Sequence, residues 1–240
     1  TIINKNVKRF MMMKIIHPLL FSTLFFSSHS FATVGGPQNI EVLGLDQADQ
    51  KIYVMRHYLD GRGRLPQLYY YQLNSKTPSK LIEVKSLYIN PKTQKMDYDQ
   101  NSQKFDRDIA KIKKRLKALT PIPPKQVKIL VISKKTSKEP SWYDPKVFIP
   151  KFSYQYQVKY SNLKSPVHKA VDYKNGLRIS QSYKVPNQPK ALVTVQYLGI
   201  PFETGYNIED PVLLMPKKYN LRRGKASQLR SCLAFFKIHD

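Results

Sequence analysis

Phe152-Ser153-Tyr154-Gln155-Tyr156-Gln157-Val158-Lys159-Tyr160 alternates without a break: Phe152, Tyr154, Tyr156, Val158 and Tyr160 fall on one side of an extended chain, Ser153, Gln155, Gln157 and Lys159 on the other. Side chains of a strand point to opposite faces in turn, so this period of two describes a strand with one buried and one wet face. A helix would scatter the same apolar residues around its circumference. Sheets with one solvated face are characteristically antiparallel, and the search for the fold starts there.

Outward from this strand the pattern repeats. Val127 to Ile132 is a nearly continuous apolar run, as in a buried strand. Downstream, Val167–Tyr173 and Leu177–Val185 are separated by Asn175-Gly176, a pair that supplies the positive φ angles of a two-residue hairpin turn. Pro186-Asn187-Gln188-Pro189 then turns the chain into Ala191–Leu198. This spacing predicts a three-stranded meander, extended to four strands by residues 147–160 and closed by a short strand at Val212–Met215. Residues 38–90 show a second group of short strands: Ile40–Leu45, Lys51–Tyr58, Gln67–Leu73 and Lys80–Tyr88, bounded by Gly, Pro, Asn and Asp. Between the groups the period changes. Phe105, Ile109, Ile112, Leu116 and Leu119 are four, three, four and three apart, which places them on one face of a helix over 104–119, ended by Pro121, Pro123 and Pro124. The expected fold is β-rich α+β: an N-terminal antiparallel meander over 33–100, then over 101–216 an amphipathic helix that covers a sheet and a C-terminal antiparallel sheet of four or five strands. The two segments form one domain or two closely packed ones.

The ends read differently from this body. Lys5, Lys8, Arg9 and Lys14 precede an apolar stretch from Ile15 to Phe26, a polar segment and Ser30-Phe31-Ala32. That order is a secretory signal with cleavage after Ala32, and the apolar stretch is shorter than the roughly 20 residues of a membrane-spanning helix. The expectation is export, to the periplasm or beyond, with residues 1–12 upstream of a signal that begins at Met13-Lys14. Residues 217–240 carry seven cations against Asp240 and read as a basic arm, or as sequence foreign to the natural protein.

Charge is the strongest compositional signal. The 240 residues hold 41 Lys and Arg against 16 Asp and Glu, a net charge of +25. Residues 1–32 hold four of the cations and no acid, and the segment 33–216 alone is +15. A body so basic is drawn to anionic surfaces and acidic proteins, by a force that raises encounter rates without conferring specificity. The single Cys232 permits no internal disulfide and no thiolate zinc cluster.

The sequence has no H-E-x-x-H, C-x-x-C, G-x-S-x-G, P-loop or EF-hand pattern. No cofactor, no metal and no catalytic residue is expected. The local cluster that stands out is Arg56-His57-Tyr58-Leu59-Asp60-Gly61-Arg62-Gly63-Arg64. Arg56, His57, Arg62 and Arg64 around a glycine turn suit a bound anion, although Asp60-Gly61 is also ordinary turn chemistry. Glu203, Glu209 and Asp210 form an alternative acid/base set for cleaving a glycan, which needs two carboxyls flanking one bond. His168 and Asp172, four apart on a strand, share a face. Tyr69-Tyr70-Tyr71 cannot form one stacking platform, because consecutive strand residues diverge, and export makes specific nucleic-acid binding unexpected. Tyr154, Tyr156 and Tyr160 pack in a core or line a groove for sugar rings. The leading expectation is a non-catalytic exported protein that binds an anionic envelope component or an acidic partner, with peripheral membrane contact. The alternatives are a periplasmic hydrolase using the loop carboxylates and an assembly factor that engages its partner by strand addition.

Overall fold

The computed structural model describes residues 36–202 and 205–216. The leader 1–32, the basic tail 217–240 with Cys232, and Glu203 lie outside the described residues. Among the described residues twelve strands and one α-helix follow in order: β1 (Gln38–Asp46), β2 (Lys51–Tyr58), β3 (Gln67–Gln72), β4 (Leu81–Glu83), α1 (Ser102–Lys113), β5 (Thr120–Pro121), β6 (Lys128–Pro140), β7 (Phe148–Tyr160), β8 (Leu163–Lys164), β9 (His168–Asp172), β10 (Arg178–Lys184), β11 (Ala191–Ile200) and β12 (Tyr206–Pro216). The class is β-rich α+β, as the alternation predicts, but residues 120–216 hold eight strands where a C-terminal sheet of four or five was expected.

The main sheet runs β4-β3-β2-β1-β12-β11-β10-β5. Its first and last long strands meet through the parallel pair Gln38↔Ile208, and the other pairings are antiparallel. The segments 33–100 and 101–216 therefore share one sheet. A second, smaller sheet has β7 at its centre, with β6 on one edge and β8 and β9 on the other, and β8 ties it to β12.

Packing follows from the two-residue period. One face of β11 and β12 (Val193, Val195, Val212, Leu214) meets the inward residues Tyr154, Tyr156 and Val158 of β7. Leu192 and Leu213, which point the opposite way, pack against Ile40, Ile52, Val54 and Tyr71 of the N-terminal meander. The main sheet thus bends between β1 and β12 so that its two halves lie face to face. The outer side of the meander (Tyr53, Met55, Leu68) is covered by Phe105 and Ile109 of α1.

Three expectations change in detail. Helix α1, capped where the Asn101 side chain accepts from the Gln103 N–H at 2.8 Å, ends at Lys113 instead of continuing to residue 119. Its apolar period persists beyond the helix because Leu116 joins the core under α1 while Leu119 joins the core between the half-sheets. The chain leaves the helix to pair Lys117 with Leu45 through two backbone hydrogen bonds of 2.8 and 2.9 Å. Gly44 permits this approach at φ 137°, where a Cβ would lie 2.6 Å from the Lys117 carbonyl oxygen.

Second, Asn175-Gly176 is no two-residue hairpin turn. β9 pairs with β7 in the small sheet and β10 with β11 in the large one, so this segment carries the chain between sheets. The buried Asp172 carboxylate organises the crossing by accepting the N–H groups of Lys174, Gly176 and Leu198 at 3.2, 2.5 and 3.0 Å. An Asn-Gly pair is compatible with either geometry, and the buried aspartate decides. Third, the short closing strand is the long β12, central in the main sheet.

Candidate anion-binding surface

The cluster Arg56, His57, Arg62 and Arg64 does not converge. Arg56 and His57 are neighbours on β2 and point to opposite faces. Arg56 donates to Asp210 Oδ1 at 2.8 Å and to Gln38 Oε1 at 3.0 Å. Burial opposes its charge, but the hydrogen bond and charge of Asp210 win and raise its pKa. His57 Nε2 lies 2.9 Å from Glu41 Oε2, and the other Glu41 oxygen takes Lys113 at 2.9 Å. Arg64 pairs with Asp60 at 3.0 Å and stacks on Tyr58, with its guanidinium carbon 3.6 Å from the ring centre. Arg62 faces Asp99 at 3.8 Å. Gly61 and Gly63, at φ 73° and 69°, serve the turn. Every basic side chain of the expected anion site already faces a carboxylate.

Of the alternative acid/base set, Glu203 lies outside the described residues. Glu209 and Asp210 are consecutive on β12 and diverge. Glu209 is buried and accepts the Ile40 N–H at 2.9 Å and the Gln196 amide at 3.2 Å. Asp210, besides Arg56, accepts the Tyr197 hydroxyl at 2.5 Å, whose pKa is pushed far up by burial and by that carboxylate. The two carboxyls therefore flank no common space, and each has a structural duty. His168 stacks beside Tyr156 with ring centres 5.7 Å apart, and Asp172 is occupied by the crossover. Burial lowers the His168 pKa, with Asp210 opposing. Tyr154 and Tyr156 are core residues and line no groove, and Tyr71 donates from within the core to the Pro211 carbonyl at 2.8 Å.

Uncompensated charge collects on the small sheet. Tyr154, Tyr156 and Val158 of β7 face the core, so the odd residues of the strand and their cross-strand neighbours form the solvent face. The register places Lys128, Leu130, Ser133, Lys135, Ser137 and Glu139 of β6 beside Lys159, Gln157, Gln155, Ser153, Lys151 and Ile149 of β7. Lys169 and Val171 of β9 and Lys164 of β8 continue the same face. Six lysines thus share a surface of Ser and Gln with one carboxylate, Glu139. That carboxylate is held by Lys151 at 2.6 Å, and the hydrogen bonds of Lys151 and Tyr173 keep its pKa below the usual range.

Compared with family models, curated proteins and solved structures, the chain has no match. The reading of this surface rests on its own residues.

Two features extend the face. β6 hydrogen-bonds to β7 alone, and Val131 and Ile132 at its bulge are each 52% exposed. Beyond the core the hairpin of β6 and β7 ends in an aromatic tip. Trp142, Tyr143 and Phe148 are 50, 63 and 57% exposed, with Trp142 edge-on to Tyr143 and to Phe202. Lys146 and Lys138 flank this tip, and Asp144 accepts the Lys146 N–H at 2.9 Å. Among the described residues no three of His, Cys, Asp and Glu gather as metal donors, and no helix is long and apolar enough to cross a membrane. Sequence reading found Lys159 on the wet side of its strand but missed the face, because register decides which lysines of other strands stand beside it.

Proposed function

We propose that this is a non-catalytic, exported basic protein that docks on an anionic component of the cell envelope through the solvent face of its small sheet. The observation that carries the reading is the set Lys128, Lys135, Lys159, Lys164 and Lys169, none of which has a carboxylate partner among the described residues, on one face. Cations at such a density attract counter-charge strongly at low ionic strength and lose that attraction as the Debye length shrinks. The exposed aromatic tip supports contact with a membrane interface, where Trp and Tyr settle at headgroup level. Export rests on the order of charge, apolar stretch and small residues over 1–32.

The test is cosedimentation of the full chain with phosphatidylcholine vesicles containing phosphatidylglycerol, across a salt series. Retention should be strong at low salt and vanish at high salt; retention that ignores salt, or is equal on neutral vesicles, removes the reading. Trp142 is the only tryptophan of the chain, so a blue shift of its emission on binding reports directly that the tip meets the lipid. The one-sided pairing of β6 favours a second reading, an assembly factor that receives a partner's strand along this edge. Recovery of one stoichiometric protein, with main-chain exchange protection spreading along 128–140, is its test.

A further inference from the structure

The solvent face does not carry its charge evenly. Lys128 of β6 stands in register with Lys159 of β7, and Lys159 in register with Lys164 of β8. Residues directly opposite across antiparallel strands share a face with Cβ atoms about 5 Å apart, so three ammonium-bearing chains form one row across three strands. Elsewhere on this face the lysines are kept apart: Lys135 is opposite Ser153, Lys151 opposite Ser137 and Lys169 opposite Gln155. Like charges directly opposite one another destabilise a sheet, and among the described residues no carboxylate pairs with any of the three. Beside the row lies a cavity of about 510 Å³ whose lining includes Lys159, Lys164, Ser161, Asn162, Leu130 and Pro216. Ser161 and Asn162 make the turn between β7 and β8, with Ser161 at φ 51°, and bring a hydroxyl and an amide to the lining.

Resting on the reading of this face as an anion-docking surface, we propose that Lys159 and Lys164 of the lining hold a phosphomonoester at this cavity, with Lys128 adding its charge from the position opposite Lys159 and the sugar-sized group that bears the phosphate inside. A monoester brings a charge near −2 and three acceptor oxygens at neutral pH, enough to serve each ammonium. A carboxylate or phosphodiester brings one charge and leaves two of the lysines opposing each other. Lysine meets phosphate as a mobile point charge, so the row needs no planar fork geometry. The volume falls within the span of small-ligand sites and exceeds what a bare phosphate fills. A free sugar phosphate and a lipid headgroup ending in a monoester share this chemistry.

The experiment uses the full chain and two probes. The first is calorimetric titration with α-glucose 1-phosphate. The second is cosedimentation with phosphatidylcholine vesicles carrying phosphatidic acid, a monoester, or phosphatidylglycerol, a diester, at matched surface charge. The variants are K159Q/K164Q and, elsewhere on the same face, K135Q/K169Q. The expected result is that K159Q/K164Q weakens glucose 1-phosphate binding at least tenfold or abolishes the preference for phosphatidic acid over phosphatidylglycerol, while K135Q/K169Q, which lowers retention on both anionic vesicles, leaves these two readouts within twofold. Binding of glucose 1-phosphate without preference for phosphatidic acid identifies a free sugar phosphate; preference for phosphatidic acid without glucose 1-phosphate binding identifies a headgroup. Either supports the site. Glucose 1-phosphate affinity and phosphatidic acid preference that are the same in wild type and K159Q/K164Q, or that fall equally in both variants, overturn it. Salt-sensitive retention on both anionic vesicles alike, with no glucose 1-phosphate binding, overturns the site and leaves the docking surface standing. Binding of glucose 1-phosphate that K159Q/K164Q abolishes, with no vesicle retention, does the reverse.

Discussion

Around the turn after β2, Arg56, His57, Arg62 and Arg64 are crowded together in sequence, yet the fold brings Asp210, Glu41, Asp99 and Asp60 to them one by one. On the small sheet, Lys128, Lys135, Lys159, Lys164 and Lys169 are scattered along the chain, yet register gathers them on one face with no acid among their cross-strand neighbours. A cluster of cations in a sequence is thus a poor guide to a basic surface. Only Asp60 is local to that turn, and Glu41, Asp99 and Asp210 reach it from elsewhere in the chain, whereas the wet face of the sheet collects whatever the alternation puts there. In this chain the alternation put Ser, Gln and Lys.

The contrast breaks most visibly on a charged surface. Replacing Lys135, Lys159 and Lys169 together by Gln should lower partition onto anionic vesicles about 100-fold, at roughly 1 kcal/mol per cation near such a surface. Replacing Arg62 and Arg64 by Gln should change it less than about twofold, since their charge is already matched. Similar losses from both sets in cosedimentation would erase the distinction between the regions. The next effect is on stability. Arg56→Met leaves Asp210 without its cation and should cost about 2 kcal/mol in urea denaturation, less than the ~3–5 kcal/mol of a fully buried pair because solvent reaches Asp210. An unchanged midpoint would show that the Arg56–Asp210 pair is incidental.

A smaller effect depends on pH. The pKa of His168 is lowered by burial, so as the pH falls the unfolded chain takes up that proton first. Its contribution is complete above the ordinary histidine value of about 6.5 and is lost on acidification towards the folded value. Thermal stability should therefore fall from pH 7 to pH 5.5, and His168→Phe should flatten that slope. Glu139, whose pKa is lowered by Lys151 and Tyr173, loses its contribution in a separate window below about 4.3. The smallest effect sharpens the comparison. Lys159→Gln should raise stability by a few tenths of a kcal/mol at low salt by relieving the lysine row, a gain that ~0.5 M salt removes.

How much of this was legible in the sequence follows from period and range. The N-terminal meander was readable because each of its strands turns back on its neighbour, and the strand 152–160 because its alternation is local. The pairing of β9 with β7 was not readable at Asn175-Gly176, since the deciding group is the Asp172 carboxylate reaching Leu198 on another strand. Nor was the parallel contact of β1 with β12, which joins the two ends of the body through Gln38 and Ile208. At the surface, each lysine was visible and their adjacency was not, because a shift of one residue between β6 and β7 sends every side chain of a strand to the other face.

The long outer strand β6 carries a further consequence. Lys134, Lys135 and Lys138 on a rim that bonds to one neighbour alone keep two copies from zipping together, as charge does on many open strands. A polyanion that binds these lysines also silences that repulsion, and it concentrates the molecules it has captured. The same encounter that loads the protein onto its target then lowers the barrier to lateral growth of β-structure, so turbidity that appears with polyanion and clears on adding salt is the colloidal signature to look for.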